Sequence, residues 1–384
     1  MTIARASLPL ALIVACCRAS SGLRMTTSTT SPGDLPLSRK RDMLIEERDL
    51  MGPCGSTGSY MSPTWSNRLG CVLTPVSIPG IYTADRPFYW NGIDVGGRMT
   101  VIRLLGSSSS SSSSSRSDAT RGGGELVVHS PVELDRALIE ALSRLGTVAH
   151  VISPNYEHVK YARQWAEHYP NARVWGCPGL SDRAPGVGWT GEVPRGARPG
   201  GYRPAATKTT TTTSTMTRPV DGMWDWNELM PMHVDAEINP FTGKSFFNEV
   251  IFYHVPSRTL LTTDLYWNYP RGDGVTNGQV IDELDNPDCA IEDFGPWELA
   301  PSVGRVPPGS ILWGKVGMDV LFRPFYNNFM VGGDRRDAFE EIARHVACGG
   351  WDVETIIPCH GDIVRGRRLC RMVLERHFGV KCRA

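Results

Sequence analysis

The chain has 384 residues, 41% of them apolar, which is enough to bury the core of one large domain or two small ones. Its 40 basic and 40 acidic residues cancel, so it lacks the basic excess typical of proteins that bind nucleic acids. Its 11 tryptophans and 28 prolines are typical of a loop-rich folded protein and do not fit a disordered one. We therefore expect a small-molecule substrate.

Ten cysteines are scattered between Cys16 and Cys382, and no two of them form a Cys-x-x-Cys pair. This spacing argues against a zinc ribbon and against a thioredoxin-type motif. It indicates no disulfide framework either, and it favours a reducing compartment.

Residues 1–60 are interpreted as a targeting segment followed by a linker. Arg5 precedes an apolar run at 8–17 and small residues at 19–22, as in a signal peptide. The run is too short to span a bilayer, so we expect no transmembrane segment in the mature protein. Residues 25–32 are rich in hydroxyl groups and free of acids, which favours a bipartite chloroplast transit peptide; plain secretion is the alternative.

Two low-complexity stretches interrupt the rest of the chain. One is a serine tract at 107–115, within an insert of about 107–124, and the other is a threonine tract at 207–217, within an insert of about 185–220. Neither tract can bury apolar surface, so both are predicted to be surface insertions in one domain that spans 65–384.

The ordered pieces begin with predicted strands at 99–104 and 125–129, joined as a hairpin by the serine tract. Ser130 is then predicted to cap a helix in which Pro131 takes the first position and Glu133 completes a capping box. Gly146 ends this helix, and an apolar strand follows at 148–152. The order strand, helix, strand predicts a layered α/β domain.

Polar residues follow three predicted strands. His158 comes after the strand at 148–152, Asp264 after a strand at 259–263, and His360 after a strand at 353–357. Strand ends are where α/β folds place ligands, so these three side chains are candidate metal ligands.

Several short runs, taken in order, resemble the plant, algal and cyanobacterial family catalogued as domain of unknown function 4336. They are 99–104 (MTVIRL), 129–132 (HSPV), 154–158 (PNYEH), 169–172 (YPNA), 177–180 (CPGL), 256–260 (PSRTL) with Thr263 and Asp264, and 358–361 (PCHG). The resemblance runs from about residue 65 to the C-terminus, outside the two inserts. That family is similar in fold to the metallo-β-lactamase superfamily, so the resemblance implies an αββα sandwich; it implies no particular activity.

The superfamily carries an H-x-H-x-D-H motif, and its last pair matches Glu157 and His158. Asn155 and Ser153 then stand where the two leading histidines would be. By the same resemblance, Asp264 matches the metal-bridging aspartate and His360 the last histidine ligand. The middle histidine has no clear match, since Gly243-Lys244-Ser245 lies near its place and the spacing of His233 is poor.

The resemblance therefore implies a metal site that lacks several of the superfamily's ligands and holds one divalent ion (zinc, iron or manganese). Its predicted ligands are His158, Asp264, His360 and Glu157, and its predicted catalytic residues are Asp264 and Glu157. Such an ion can make a nucleophile from water, which predicts a hydrolase of a small ester, thioester or phosphoester.

Other interpretations stay open. Two histidines and one carboxylate are also typical of a mononuclear iron oxidoreductase. The absence of the leading histidines is also consistent with a protein that has lost catalytic activity and serves as a binding or scaffold module. Glu157 can be a helix N-terminal carboxylate favoured by the helix dipole. His129 and His254 are expected to be strand histidines with satisfied hydrogen bonds.

Overall fold

The computed structural model describes residues 65–67, 71–76, 78–105, 124–198, 219–269 and 306–382. The predicted targeting segment and both low-complexity tracts lie outside these residues. The strands are β1 Thr74–Pro75, β2 Ile81–Arg86, β3 Tyr89–Trp90, β4 Ile93–Asp94, β5 Gly97–Arg103, β6 Gly124–His129, β7 Gly146–Ser153, β8 Arg173–Gly176, β9 Gly191–Glu192, β10 Leu229–His233, β11 Val250–His254, β12 Thr259–Thr262, β13 Thr355–Pro358 and β14 Val364–Arg365.

The helices are α1 Arg136–Leu145, α2 Ala162–His168, α3 Leu180–Arg183, α4 Pro308–Leu312, α5 Arg336–Ala347 and α6 Arg367–Phe378. Helix α4 continues without a break through π-helical Trp313–Phe322, the α-turn Arg323–Phe325 and π-helical Tyr326–Met330. None of the helices described here combines the length and apolar character needed to cross a membrane.

Two sheets form the centre of the protein. The first has the order β1-β2-β5-β6-β7-β8-β9 and the second the order β10-β11-β12-β13-β14. In the first sheet β6 to β9 run parallel, and in the second β12 and β13 pair in parallel. A separate two-stranded sheet is formed by β3 and β4.

Three buried clusters show how the layers stack. The cluster between the sheets joins Ile152 and Trp175 of the first sheet to Phe252 and Leu261 of the second. A second cluster packs α1 and α2 on the outer face of the first sheet, and a third packs α5 and α6 on the outer face of the second. Helices therefore cover both outer faces of two stacked sheets, and the predicted αββα sandwich is confirmed.

The predicted start of α1 is wrong. The helix begins at Arg136 with Asp135 as its N-cap, whose carboxylate accepts the N–H of Leu138. Ser130 directly follows β6, and its N–H donates to the carbonyl of Ile152 in β7. Its backbone takes a positive φ of 58°, which turns the chain out of β6.

The stretch 185–198 was placed in the second insert from its sequence, yet it forms part of the folded layers. Strand β9 pairs with β8, and Val187 and Val193 are buried. These apolar residues give a proline- and glycine-rich segment enough surface to bury, which the threonine tract lacks.

One disulfide joins Cys348, at the end of α5, to Cys382. The cysteine spacing did not indicate this bond. The four free cysteines of the described residues, Cys71, Cys177, Cys359 and Cys370, are all buried.

Candidate metal centre

His158, Asp264 and His360 lie together where β7, β12 and β13 end. Nε2 of His158 lies 3.4 Å from Oδ2 of Asp264, and Nε2 of His360 lies 3.5 Å from Oδ1 of Asp264. The two Nε2 atoms are 3.3 Å apart. The structure thus brings together three residues that are widely separated in the chain, while their role as ligands stays a prediction.

The pairing of β12 with β13 puts Asp264 beside His360. Because these strands are parallel, with Thr262 opposite Pro358, both chains leave the sheet at the same edge. The loops that follow are tied by backbone hydrogen bonds: Cys359 N–H donates to the carbonyl of Thr262, and Asn268 N–H to that of His360. His158 enters from the other sheet, through the loop after β7.

Each imidazole is oriented through its second ring nitrogen. Nδ1 of His360 lies 2.8 Å from the carbonyl oxygen of Gly96, which can only accept, so this nitrogen carries a proton. Nδ1 of His158 lies 2.7 Å from Oγ of Ser130. Both Nε2 atoms are thereby directed into the space beside Asp264, an arrangement typical of ligating histidines.

The electrostatics of the site tie these groups together. Burial lowers the pKa of His158, but the charge of Asp264, its hydrogen bond and the nearby Cys359 outweigh burial and raise this pKa well above its usual value. Burial likewise opposes ionisation of Asp264, yet His158 and His360 hold the pKa of its carboxyl well below the usual range. Asp264 is therefore a carboxylate at neutral pH.

The donor set fits one divalent ion. Neighbouring ligand atoms of a tetrahedral site with bonds of about 2.0–2.1 Å lie roughly 3.3 Å apart, close to the separations found here. Two imidazole nitrogens and a carboxylate oxygen are also donors that zinc and iron(II) accept.

The three side chains are also reachable from solvent. Those of His158 and Asp264 are each 14% exposed and that of His360 is 11% exposed, so a small molecule can approach an ion held between them.

Asn155 fills the place where the resemblance put one of the missing histidines. It is fully buried, and its Nδ2 donates to Oδ2 of Asp264 at 2.6 Å and to Oγ1 of Thr263 at 2.9 Å. Its Oδ1 accepts the N–H groups of Glu157 and His158. An amide N–H thus contacts the same carboxylate oxygen of Asp264 that lies 3.4 Å from Nε2 of His158.

Other residues weighed from the sequence lie outside the triad. Glu157 is exposed and does not belong to the group whose ligand atoms all lie within 4.8 Å of one another. Burial of its carboxyl group, and then the charge of Asp264, raise the pKa of Glu157, so it lies within electrostatic range of the site. The ring of His233 is held by Gly196 N–H and by Asn248, and Oγ of Ser153 is buried without a hydrogen-bond partner among the described residues.

The two strand histidines differ from expectation. Neither ring nitrogen of His129 has a hydrogen-bond partner within the described part of the chain, and its ring packs edge-on against Phe252. His254 is satisfied at Nδ1, by Ser257, but not at Nε2. The expectation of satisfied rings was therefore wrong for His129, and His254 meets it at one of its two ring nitrogens, with Nε2 lying 4.0 Å from Oε1 of Glu228.

Glu249 was not predicted from the sequence to contribute to this site. It is 1% exposed and accepts the N–H groups of Thr263, Asp264 and Leu265. Burial, and then the charge of Asp264, raise the pKa of Glu249 to about 7, while the hydrogen bonds from Thr263 lower it. The only available signal was an acidic residue directly before the apolar strand β11.

Comparison with known proteins identifies the family of this chain. A model of the family described as a domain of unknown function (DUF4336) matches residues 81–272, half of the chain. The chain belongs to this family. His158 and Asp264 lie inside the matched region and His360 lies beyond it. No curated protein matches the chain.

Among solved structures, the chain is similar to the DIM-1 metallo-β-lactamase, with 8% identity and a TM-score of 0.37 over 79% of this chain and 96% of that one. It is also similar to the Flv1 flavodiiron core from Synechocystis, with 11% identity and a TM-score of 0.43 over 80% of this chain and 60% of that one. The rubredoxin oxygen:oxidoreductase from Desulfovibrio gigas gives 10% identity and a TM-score of 0.42 over 80% and 61%. The chain spans about 60% of the length of these last two proteins.

Proposed function

We propose that this DUF4336 protein is a metal-dependent hydrolase of a small ester, thioester or phosphoester. It holds one divalent ion, zinc, iron or manganese, through His158, Asp264 and His360. The observation that carries the proposal is the convergence of two Nε2 atoms and one carboxylate at separations of 3.3–3.5 Å.

The ion would supply Lewis acidity and the means to activate water near neutral pH. The chain's own residues do the rest. Gly96 and Ser130 fix the two imidazoles, and the negative charge of Asp264 lies between them. Glu157, which directly precedes His158, is the proposed proton carrier; burial of its carboxyl group and then the charge of Asp264 raise its pKa.

A mononuclear iron oxidoreductase is the second candidate. The observation in its favour is the donor set itself, because two histidines and one carboxylate also hold iron(II) in non-haem oxygenases. The identity of the ion separates this candidate from the hydrolase, and a protein that binds no ion would be a binding or scaffold module.

Metal content tests the proposal. We expect elemental analysis of the purified protein to find about one zinc, iron or manganese ion per chain, and His360→Ala to lose it because one of three ligands is gone. His168→Ala is the matched control, since His168 is an exposed histidine at the end of α2 and should leave the metal content unchanged.

Two results would contradict the proposal. One is a folded parent protein that takes up no ion after incubation with each of the three metals. The other is an ion that remains in full in His360→Ala. A zinc-loaded protein that hydrolyses ester probes would favour the hydrolase over the oxidoreductase.

A further inference from the structure

We infer that Glu249 is a positioning residue that presents Asp264 to the metal site, an inference that rests on the proposed single-ion function. Glu249 directly precedes β11 and is 1% exposed. Its Oε1 accepts the N–H of Thr263 at 2.6 Å, and its Oε2 accepts those of Asp264 and Leu265, each at 2.8 Å.

Three consecutive N–H groups pointing at one carboxyl group fix the local course of the backbone. These residues follow β12, whose ladder ends at Thr262, so no strand partner takes their N–H groups. An unpaired buried N–H costs about 1–3 kcal/mol, so the turn that carries Asp264 depends on an acceptor at this place. Successive N–H groups that converge in this way favour an anion.

Glu249 also connects the turn after β12 to the loop that carries His158. Its Oε2 lies 3.5 Å from Nδ2 of Asn155, which in turn donates to Asp264 and accepts from His158 N–H. Backbone hydrogen bonds also join the segment that carries Glu249 to the loop that carries His158, from Val250 N–H to the carbonyl of Pro154 and from Tyr156 N–H to that of Phe247. One buried side chain therefore sets the relative position of two candidate ligands without touching the space between them.

The chain offers a matched control in Glu237. This glutamate is also 1% exposed, and its Oε1 accepts the N–H groups of Phe246 and Phe247. It forms no hydrogen bond with the segment 263–265 among the described contacts. Glu237→Gln therefore also replaces a buried carboxyl group by an amide, but at a place outside the turn that carries Asp264.

The test measures the dissociation constant of cobalt(II), with its visible spectrum as a report on ligand geometry. We expect Glu249→Gln to weaken cobalt binding by about 10–100-fold and to change the spectrum, because its amide turns an N–H₂ group towards backbone N–H donors. Glu237→Gln should bind cobalt within about twofold of the parent and keep its spectrum. Equal losses in both variants, or parent-like binding by a folded Glu249→Gln, would overturn the inference.

Hydrogen exchange in the unsubstituted, metal-free protein gives an answer even where Glu249→Gln does not fold. The amides of Thr263, Asp264 and Leu265 should exchange as slowly as those of β12, because Glu249 holds them without an ion. Exchange as fast as in exposed loops would refute the positioning role. A parent that shows slow exchange here but binds no cobalt would refute the proposed function and leave the structural contact in place.

Discussion

Asp264→Asn should weaken the binding of a divalent ion by more than about 100-fold. This loss is larger than the roughly 10–100-fold loss expected when a residue that only hydrogen-bonds to a ligand is removed. The substitution keeps the shape of the side chain but removes the negative charge between two imidazoles. The amide also offers one acceptor oxygen in place of two. Hydrolytic activity towards an ester probe such as p-nitrophenyl acetate should fall to background together with the metal content.

Glu157→Gln is the matched carboxyl-to-amide control for this prediction. Glu157 lies outside the triad, so the variant should keep its ion while losing activity, if the carboxyl group moves protons as proposed. Equal loss of metal from both variants would show that Glu157 is a fourth ligand. Full retention of metal by Asp264→Asn would contradict the assignment of Asp264.

The free energy of unfolding should fall steeply as the pH is lowered from about 6.5 to 4.5. Burial lowers the pKa of six histidines, so the folded state keeps them neutral where the unfolded chain, with a pKa near 6.5, takes up protons. They are His129 and His377, lowered to about 3, and His150, His233, His254 and His345, lowered to about 4.

The sign and size of this effect follow from proton uptake. Each such histidine lowers the free energy of unfolding by up to about 1.4 kcal/mol for every pH unit below 6.5. The total free energy of unfolding of a typical domain is only about 5–15 kcal/mol. Glu237 and Glu249 act in the opposite direction, because burial raises their pKa values to about 8 and about 7 and the folded state protonates first. Glu157, Asp94 and Asp135, whose pKa values burial also raises, add to this opposing contribution. We expect the six histidines to dominate between pH 6.5 and 4.5, so acid should lower the stability of the protein.

Guanidinium unfolding of the metal-free protein at pH 6.5, 5.5 and 4.5 checks this prediction. His129→Leu is the informative variant, since neither ring nitrogen of His129 has a partner among the described residues. Its stability should fall less with acid than that of the parent, by about 1 kcal/mol per pH unit. A free energy of unfolding that stays constant or rises with acid would contradict the assignment of neutral buried histidines.

The sequence predicts well where the signal is local. Short apolar runs indicated the β5–β6 hairpin and the strands β7, β12 and β13, and polar residues in the loops after β7, β12 and β13 indicated the triad. Gly146 was predicted to end the helix after β6, and α1 ends at Leu145. Each of these predictions depends on residues close together in the chain.

What could not be predicted depends on contacts across the fold. The helical segment 308–330 contains Gly314, Gly317 and Pro324, residues that disfavour a helix when taken alone. A Cβ on Gly314 would lie 2.4 Å from Cβ of Tyr269, so close packing explains the glycine better than local propensity does. Glu249 and Ser130 act through partners 14 to 28 residues away, which no local pattern reveals.

The parallel pairing of β12 with β13 has a consequence for how the protein is made. Because β13 begins at Thr355, 93 residues after β12 ends at Thr262, a nascent chain has completed β12 long before its neighbour leaves the ribosome. Until then β12 is an unpaired apolar edge, a kind of strand prone to self-association. An ion bound as proposed cannot assist these early stages, since its predicted ligand His360 is synthesised only after β13. Binding of that ion would therefore follow the pairing of β12 with β13 and would not guide it.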